Sequence, residues 1–106
     1  MTSIELLAWT GCPSHPKAAA ALHALLAELG RPDQEVTLRW VESEQDAQRE
    51  RFLGSPTIRV NGSDIVPDPG TGPYGLTCRI YRTRAGSISP IPDPDDLRDA
   101  LTSAYR

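Results

Sequence analysis

The stretch from Ile4 to Trp40 constrains the fold more than any other part of the chain. It carries a strand, a helix and a second strand in close succession. Residues Ile4 to Ala8 are apolar apart from Glu5 and carry no helix-starting signal, which is the pattern of a buried strand. The segment "TGCPSHP" that follows is turn chemistry. From about Ser14 the apolar positions are Ala18, Leu22, Leu25, Leu26 and Leu29, a single helical stripe that ends at Gly30 with Pro32 beyond it. Val36, Leu38 and Trp40 then alternate with Thr37 and Arg39, the pattern of a half-exposed strand. Two strands joined through one helix lie parallel, linked by a right-handed crossover.

The rest of the chain builds on that unit. Ser43 followed by Asp46 resembles a capping box, and the polar run around Glu42 to Glu50 reads as a short helix with a solvated face. "SPTIRV", "NG" and "SDIV" form a hairpin, because Asn-Gly supplies the positive φ angles of a tight primed turn. "PDPGTGPYG", from Pro67 to Gly75, is a loop, and "LTCRIYRTRAGSISPI" alternates well enough for a second, weaker hairpin turning near Ala85 and Gly86. Asp93 is a good N-cap, with Pro94 at the first helical position and Asp95 and Asp96 favouring the positive helix start. Leu97, Ala100, Leu101 and Ala104 form the buried stripe of that last helix. The expected fold is α/β, a small mixed sheet with helices on both faces.

With 106 residues and no internal repeat or linker, residues 1–106 are expected to form one domain with a real core. A net charge of −3 gives no electrostatic case for nucleic acid or an anionic membrane as partner. No apolar run approaches the roughly 20 residues that span a bilayer. "MTSIELLAW" has no basic segment ahead of an apolar stretch, so the chain is expected to be cytoplasmic. Persistent structural disulfides are rare in that compartment, although the two cysteines can make one.

Cys12 follows the first strand and immediately precedes the first helix. There, unpaired backbone N–H groups and the helix dipole stabilise negative charge, so the thiol loses its proton more easily, and the thiolate is the form that attacks. His15, three residues on, adds an ion pair if protonated and facing the sulfur, or a proton acceptor if neutral. Pro13 and Pro16 stiffen the turn and remove donors that a helix start leaves unused.

"WTGCPSH" followed by "GSPTIRVNG" resembles the thioredoxin and glutaredoxin superfamily. In that superfamily an apolar strand leads into a Cys-x-x-Cys or Cys-x-x-Ser turn, and a later Pro-Thr segment carries a cis proline facing the cysteine. The resemblance covers the element order from Ile4 to Val66, and the closing helix fits it. It implies a thioredoxin-like fold and a thiol-disulfide oxidoreductase, or related thiol-dependent enzyme, with Cys12 as the nucleophile. It further implies Pro56 as the cis proline, Ser55 as the residue whose backbone pairs with an extended substrate, and Trp9 as the upstream aromatic. The implied substrate is a thiol or disulfide, on a protein or a small molecule, and no cofactor is implied.

This chain departs from the family at His15, which stands where a second, resolving cysteine would be. It therefore works as a monothiol or uses Cys78 as a distant partner. The chain as a whole is also similar to short thioredoxin-like proteins catalogued as alkylmercury lyase. Organomercurial cleavage takes two thiols and a carboxylate converging on one carbon–mercury bond, and the sequence identifies only the two cysteines of that set.

Blander readings stand beside these. Cys12 can be a small residue packed in a turn. Cys78 alternates with Leu76 and Ile80 and can be a core residue, since free cysteine is among the most buried types. His15 can be a surface residue, and His23 reads as structural or solvated. Structural zinc is disfavoured, because Cys12, His15 and Cys78 fall one ligand short of the usual four. A soft metal such as mercury or copper(I) needs only two thiolates. A non-catalytic module binding such a metal, or a partner protein, is therefore the alternative to an enzyme.

Overall fold

The computed structural model describes residues 2–68, 70 and 72–105. Two residues of the Pro67–Gly75 loop, Pro69 and Thr71, lie outside that set. The elements run β1 (Ile4–Ala8), α1 (His15–Glu28), β2 (Val36–Trp40), α2 (Glu44–Arg49), β3 (Thr57–Val60), β4 (Ser63–Asp64), β5 (Tyr81–Arg82), β6 (Ile88–Ser89) and α3 (Pro94–Ala104). β1 to β4 form one mixed sheet in the order β2-β1-β3-β4. β1 pairs parallel with β2, as the crossover requires, and antiparallel with β3, which pairs antiparallel with β4.

The alternation of β1 divides the interior into two clusters. Ile4 and Leu6 face a cluster with Ala18, Leu22, Leu25 and Leu26 of α1 and Leu97 and Leu101 of α3. Leu7 points the other way, into a smaller cluster with Val41, Phe52 and Ala47 of α2. The sheet therefore carries α1 and α3 on one face and α2 on the other. β2 is an edge strand, and it leaves Leu38 and Trp40 exposed.

The helix ends follow local chemistry. α1 closes in a Schellman arrangement, with Arg31 N–H on Leu26 O at 2.7 Å and Gly30 N–H on Ala27 O at 3.1 Å. Gly30 takes the positive φ of +77° that this closure needs. Asp93 caps α3 by accepting from Asp95 N–H at 2.8 Å, and Ser43 caps α2 by accepting from Asp46 N–H at 3.0 Å. The Asn61-Gly62 turn has positive φ at both residues, as a primed hairpin requires.

The structure corrects three expectations. β4 stops at Asp64 rather than running through Val66, because the Asp64 carboxylate accepts Val66 N–H at 2.9 Å and turns the chain out of the ladder. The second hairpin is confined to β5 and β6, a separate two-stranded sheet, and residues 76–80 take a different course. The run from Glu42 to Glu50 is more than a solvated face. Ala47 is buried, Glu42 accepts from Thr10, Glu44 accepts from Leu76 N–H, and Glu50 pairs with Arg39 and Arg59.

Candidate functional site

β1 delivers the chain to the site through a tight turn in which Cys12 N–H donates to Trp9 O at 3.0 Å. A side chain at Gly11 would overlap the Trp9 indole where it lies, so glycine there lets the ring cover the turn. Cys12 emerges two residues ahead of the α1 N-cap, Ser14, and is wholly buried. The Ser14 hydroxyl does not cap its helix but turns to the Cys12 sulfur.

The opposing wall comes from the segment leading into β3. The Ser55–Pro56 bond is cis, and both residues are fully buried. Ser55 meets Cys12 in two ways: its carbonyl accepts from the Cys12 thiol at 3.4 Å, and its hydroxyl reaches the sulfur in turn. That hydroxyl accepts from Trp9 N–H at 3.1 Å, which fixes its oxygen and leaves its proton for Cys12. Pro56 O accepts from the buried Tyr81 hydroxyl at 2.5 Å.

The third wall was not foreseen as such. Residues 76–80 run alongside Ser55 as a strap, making a parallel bridge in which Ser55 and Cys78 are partners. Ser55 N–H donates to Thr77 O and Arg79 N–H donates to Ser55 O, each at 2.8 Å. Both main-chain groups of Ser55, expected to pair with a substrate, are thus taken by the chain itself.

The strap sets Cys78 against Cys12. Burial pushes the Cys12 thiol up, but donors to its sulfur outweigh this: the Cys78 thiol first, then Ser14 N–H and the Ser14 and Ser55 hydroxyls. The net effect holds Cys12 below the ordinary thiol value. Cys78 is pushed the other way by its bond to Cys12, by desolvation and by the charge on its neighbour. Of the two thiols Cys12 is therefore the first to ionise, and the Cys78 thiol donates to the sulfur that results. Cys78 itself is exposed, so it is not a core residue.

His15 stands apart from this chemistry. Its Nδ1 lies 3.4 Å from the Cys12 carbonyl oxygen rather than on the sulfur, and its ring meets Trp40 edge-on at 5.0 Å. Trp9 is half-buried against the α2-side cluster and shapes the turn. His23 is exposed on α1.

What holds the strap is a set of residues the sequence did not single out. Arg79, alternating inward between Cys78 and Ile80, is buried. Its guanidinium donates to Asp64 Oδ2 at 2.7 Å and to Thr57 Oγ1 at 3.1 Å, and stacks on the Tyr81 ring at 4.6 Å. Gly54 lies beneath, at φ +135°, where a Cβ would sit 2.9 Å from Arg79 Cβ and 3.0 Å from its Cα. Only glycine lets the strap approach this closely. The one sequence signal was an arginine inside an otherwise apolar run, opposite an aspartate in the preceding hairpin.

A cavity of about 700 Å³ lies at the opposite end of β1, between Thr2, Arg31, Gln34 and Tyr105, and includes none of these residues. Among the described residues, no three His, Cys, Asp or Glu side chains cluster as a metal site, and no helix is long and apolar enough to cross a membrane. Comparison with family models, with curated proteins and with solved structures finds no match to this chain.

Proposed function

We propose that the protein is a cytoplasmic thiol-disulfide oxidoreductase of the thioredoxin and glutaredoxin-like type, and that Cys12 and Cys78 are its working dithiol. The observation that carries this reading is that Ser55 brings the two cysteines together, its carbonyl accepting from the Cys12 thiol at 3.4 Å and its backbone bridging to Cys78, with Cys12 the readier of the two to ionise. A thiolate next to a second thiol can close a disulfide without a resolving cysteine in the turn, so His15 is not an obstacle. Reduction of a bound disulfide oxidises the pair, and an external thiol returns it to the dithiol. Ser14 and Ser55 support the thiolate by hydrogen bonding, which places their role in positioning and charge.

The same thiol pair supports a second reading, a module that binds a soft cation through two thiolates. The organomercurial reading has less support, because no carboxylate clusters with the thiols among the described residues. The discriminating experiment is turnover. The reduced protein is mixed with reduced glutathione and a small mixed disulfide, and glutathione oxidation is followed. Catalysis that is lost in Cys12→Ser supports the enzyme. Stoichiometric binding of mercury(II) or copper(I) with no turnover supports the binding module.

A further inference from the structure

The strap occupies the position at which an extended substrate would pair with Ser55. Both main-chain hydrogen bonds of Ser55 are satisfied by Thr77 and Arg79, Gly54 admits no gap beneath, and Arg79 is tied down by Asp64 and Thr57. Cys12 lies wholly buried in this arrangement, whereas Cys78 is exposed. We propose that Cys78 is the thiol that meets the substrate, that Cys12 closes the cycle from beneath, and that the substrate is a low-molecular-weight disulfide rather than an extended peptide docked on Ser55. This rests on the dithiol reading above.

The chemistry balances with the groups present and two external reactants. Cys78 gives its proton to the Cys12 thiolate as its sulfur attacks the small disulfide RSSR; the S–S bond breaks, a Cys78–SR mixed disulfide forms, and RS⁻ leaves. That thiolate takes the proton back from Cys12 and departs as RSH. The Cys12 thiolate then attacks the Cys78 sulfur, forms the Cys12–Cys78 disulfide and expels the second RS⁻. The dithiol is oxidised by two electrons and RSSR is reduced to two thiols. A small external thiol or dithiol reverses the steps. The strap is thus a built-in strand that carries one reacting sulfur and holds it over the other. Ile80, two residues beyond Cys78 and 72 % exposed, supplies an apolar flank to the incoming disulfide.

The test is the order of modification. Full-length protein is treated with oxidised glutathione, quenched rapidly with acid and mapped by mass spectrometry. Cys12→Ser is expected to accumulate the glutathione adduct on Cys78. Cys78→Ser is expected to be modified at Cys12 at least about tenfold more slowly, since reagent must then wait for the strap to open locally, and a tenfold effect corresponds to about 1.4 kcal/mol. Limiting iodoacetamide on the wild type checks the order without a variant, with Cys78 expected to label first. Adduct formation on Cys12 of Cys78→Ser at the wild-type rate overturns the proposal, as does Cys12 labelling first. An extended peptide disulfide that reacts many-fold faster than oxidised glutathione overturns the substrate class. If the wild type forms no Cys12–Cys78 bond at all, the dithiol reading fails, an outcome separate from these.

Discussion

Replacing Arg79 with alanine breaks the anchor of the strap, and the structure sets the size of the effect. Arg79 and Asp64 have side chains only 8 % and 13 % exposed, and their N–O distance is 2.7 Å. Removing one partner of a buried pair leaves the other charge uncompensated, at a cost of about 3–5 kcal/mol. Asp64 keeps its bond from Val66 N–H, which favours the lower end. A loss of about 3 kcal/mol is a large share of a small domain's stability, typically about 5–15 kcal/mol. With 106 residues and an unfolding entropy of about 2.1 cal/mol/K per residue, it lowers Tm by about 13 °C. Asp64→Asn removes the stranded charge while keeping the shape, so Arg79→Ala with Asp64→Asn loses less than the sum of the single changes. Urea unfolding of the four proteins gives the coupling energy, expected to be about 1–3 kcal/mol. The same Arg79→Ala protein labels faster at Cys12. An Arg79→Ala cost under about 1 kcal/mol, or additivity within about 0.5 kcal/mol, refutes the anchor.

Three further outcomes follow from the same contacts. Gly54→Ala places a Cβ against the Arg79 backbone at a positive φ, so it destabilises by more than Gly30→Ala, which meets open space and carries only a φ penalty of about 1–2 kcal/mol; equal costs in thermal unfolding would contradict the close approach. Because Cys12 titrates lower folded than unfolded, its ionisation stabilises the reduced protein fully above the unfolded value of about 8.5, and this contribution is lost as pH falls through the lowered folded value. Cys78, raised on folding, acts oppositely above about 8.5, so urea midpoints climb toward that pH and then stop climbing, whereas Cys12→Ser loses the climb. Cys78→Ala removes the leading donor to Cys12 and moves the thiolate absorbance to higher pH; an unmoved curve would show that Cys78 does not donate to Cys12.

The main sheet and its helices were legible because each element announces itself locally. The α1 stripe, its Gly30 stop, the Asn61-Gly62 turn and the Asp93 cap are short-range signals, and the crossover rule assembles them. The placement of Cys12 ahead of α1 was legible for the same reason. The strap was not, because it is held by pairings that no pattern along the chain encodes. Cys78 meets Ser55 through a single bridge, and Arg79 meets Asp64 in another hairpin. Burial in "LTCRIY" alternates only from Cys78 to Tyr81, and there the buried positions belong to Arg79, whose charge Asp64 offsets, and to Tyr81. An arginine's polarity argues for the surface and so for inward apolar neighbours, yet Ile80 lies out in solvent. His15 followed the same logic in reverse: its spacing from Cys12 suggested an ion pair, but helix α1 turns its ring toward Trp40.

The most direct measurement is a redox titration of the full chain in glutathione buffers, with the disulfide state counted by peptide mapping at each point. The account predicts one two-electron transition that yields an intramolecular Cys12–Cys78 bond, reversed by dithiothreitol. Glutathione adducts or Cys12-linked dimers, with no bond between Cys12 and Cys78 at any poise, would contradict it.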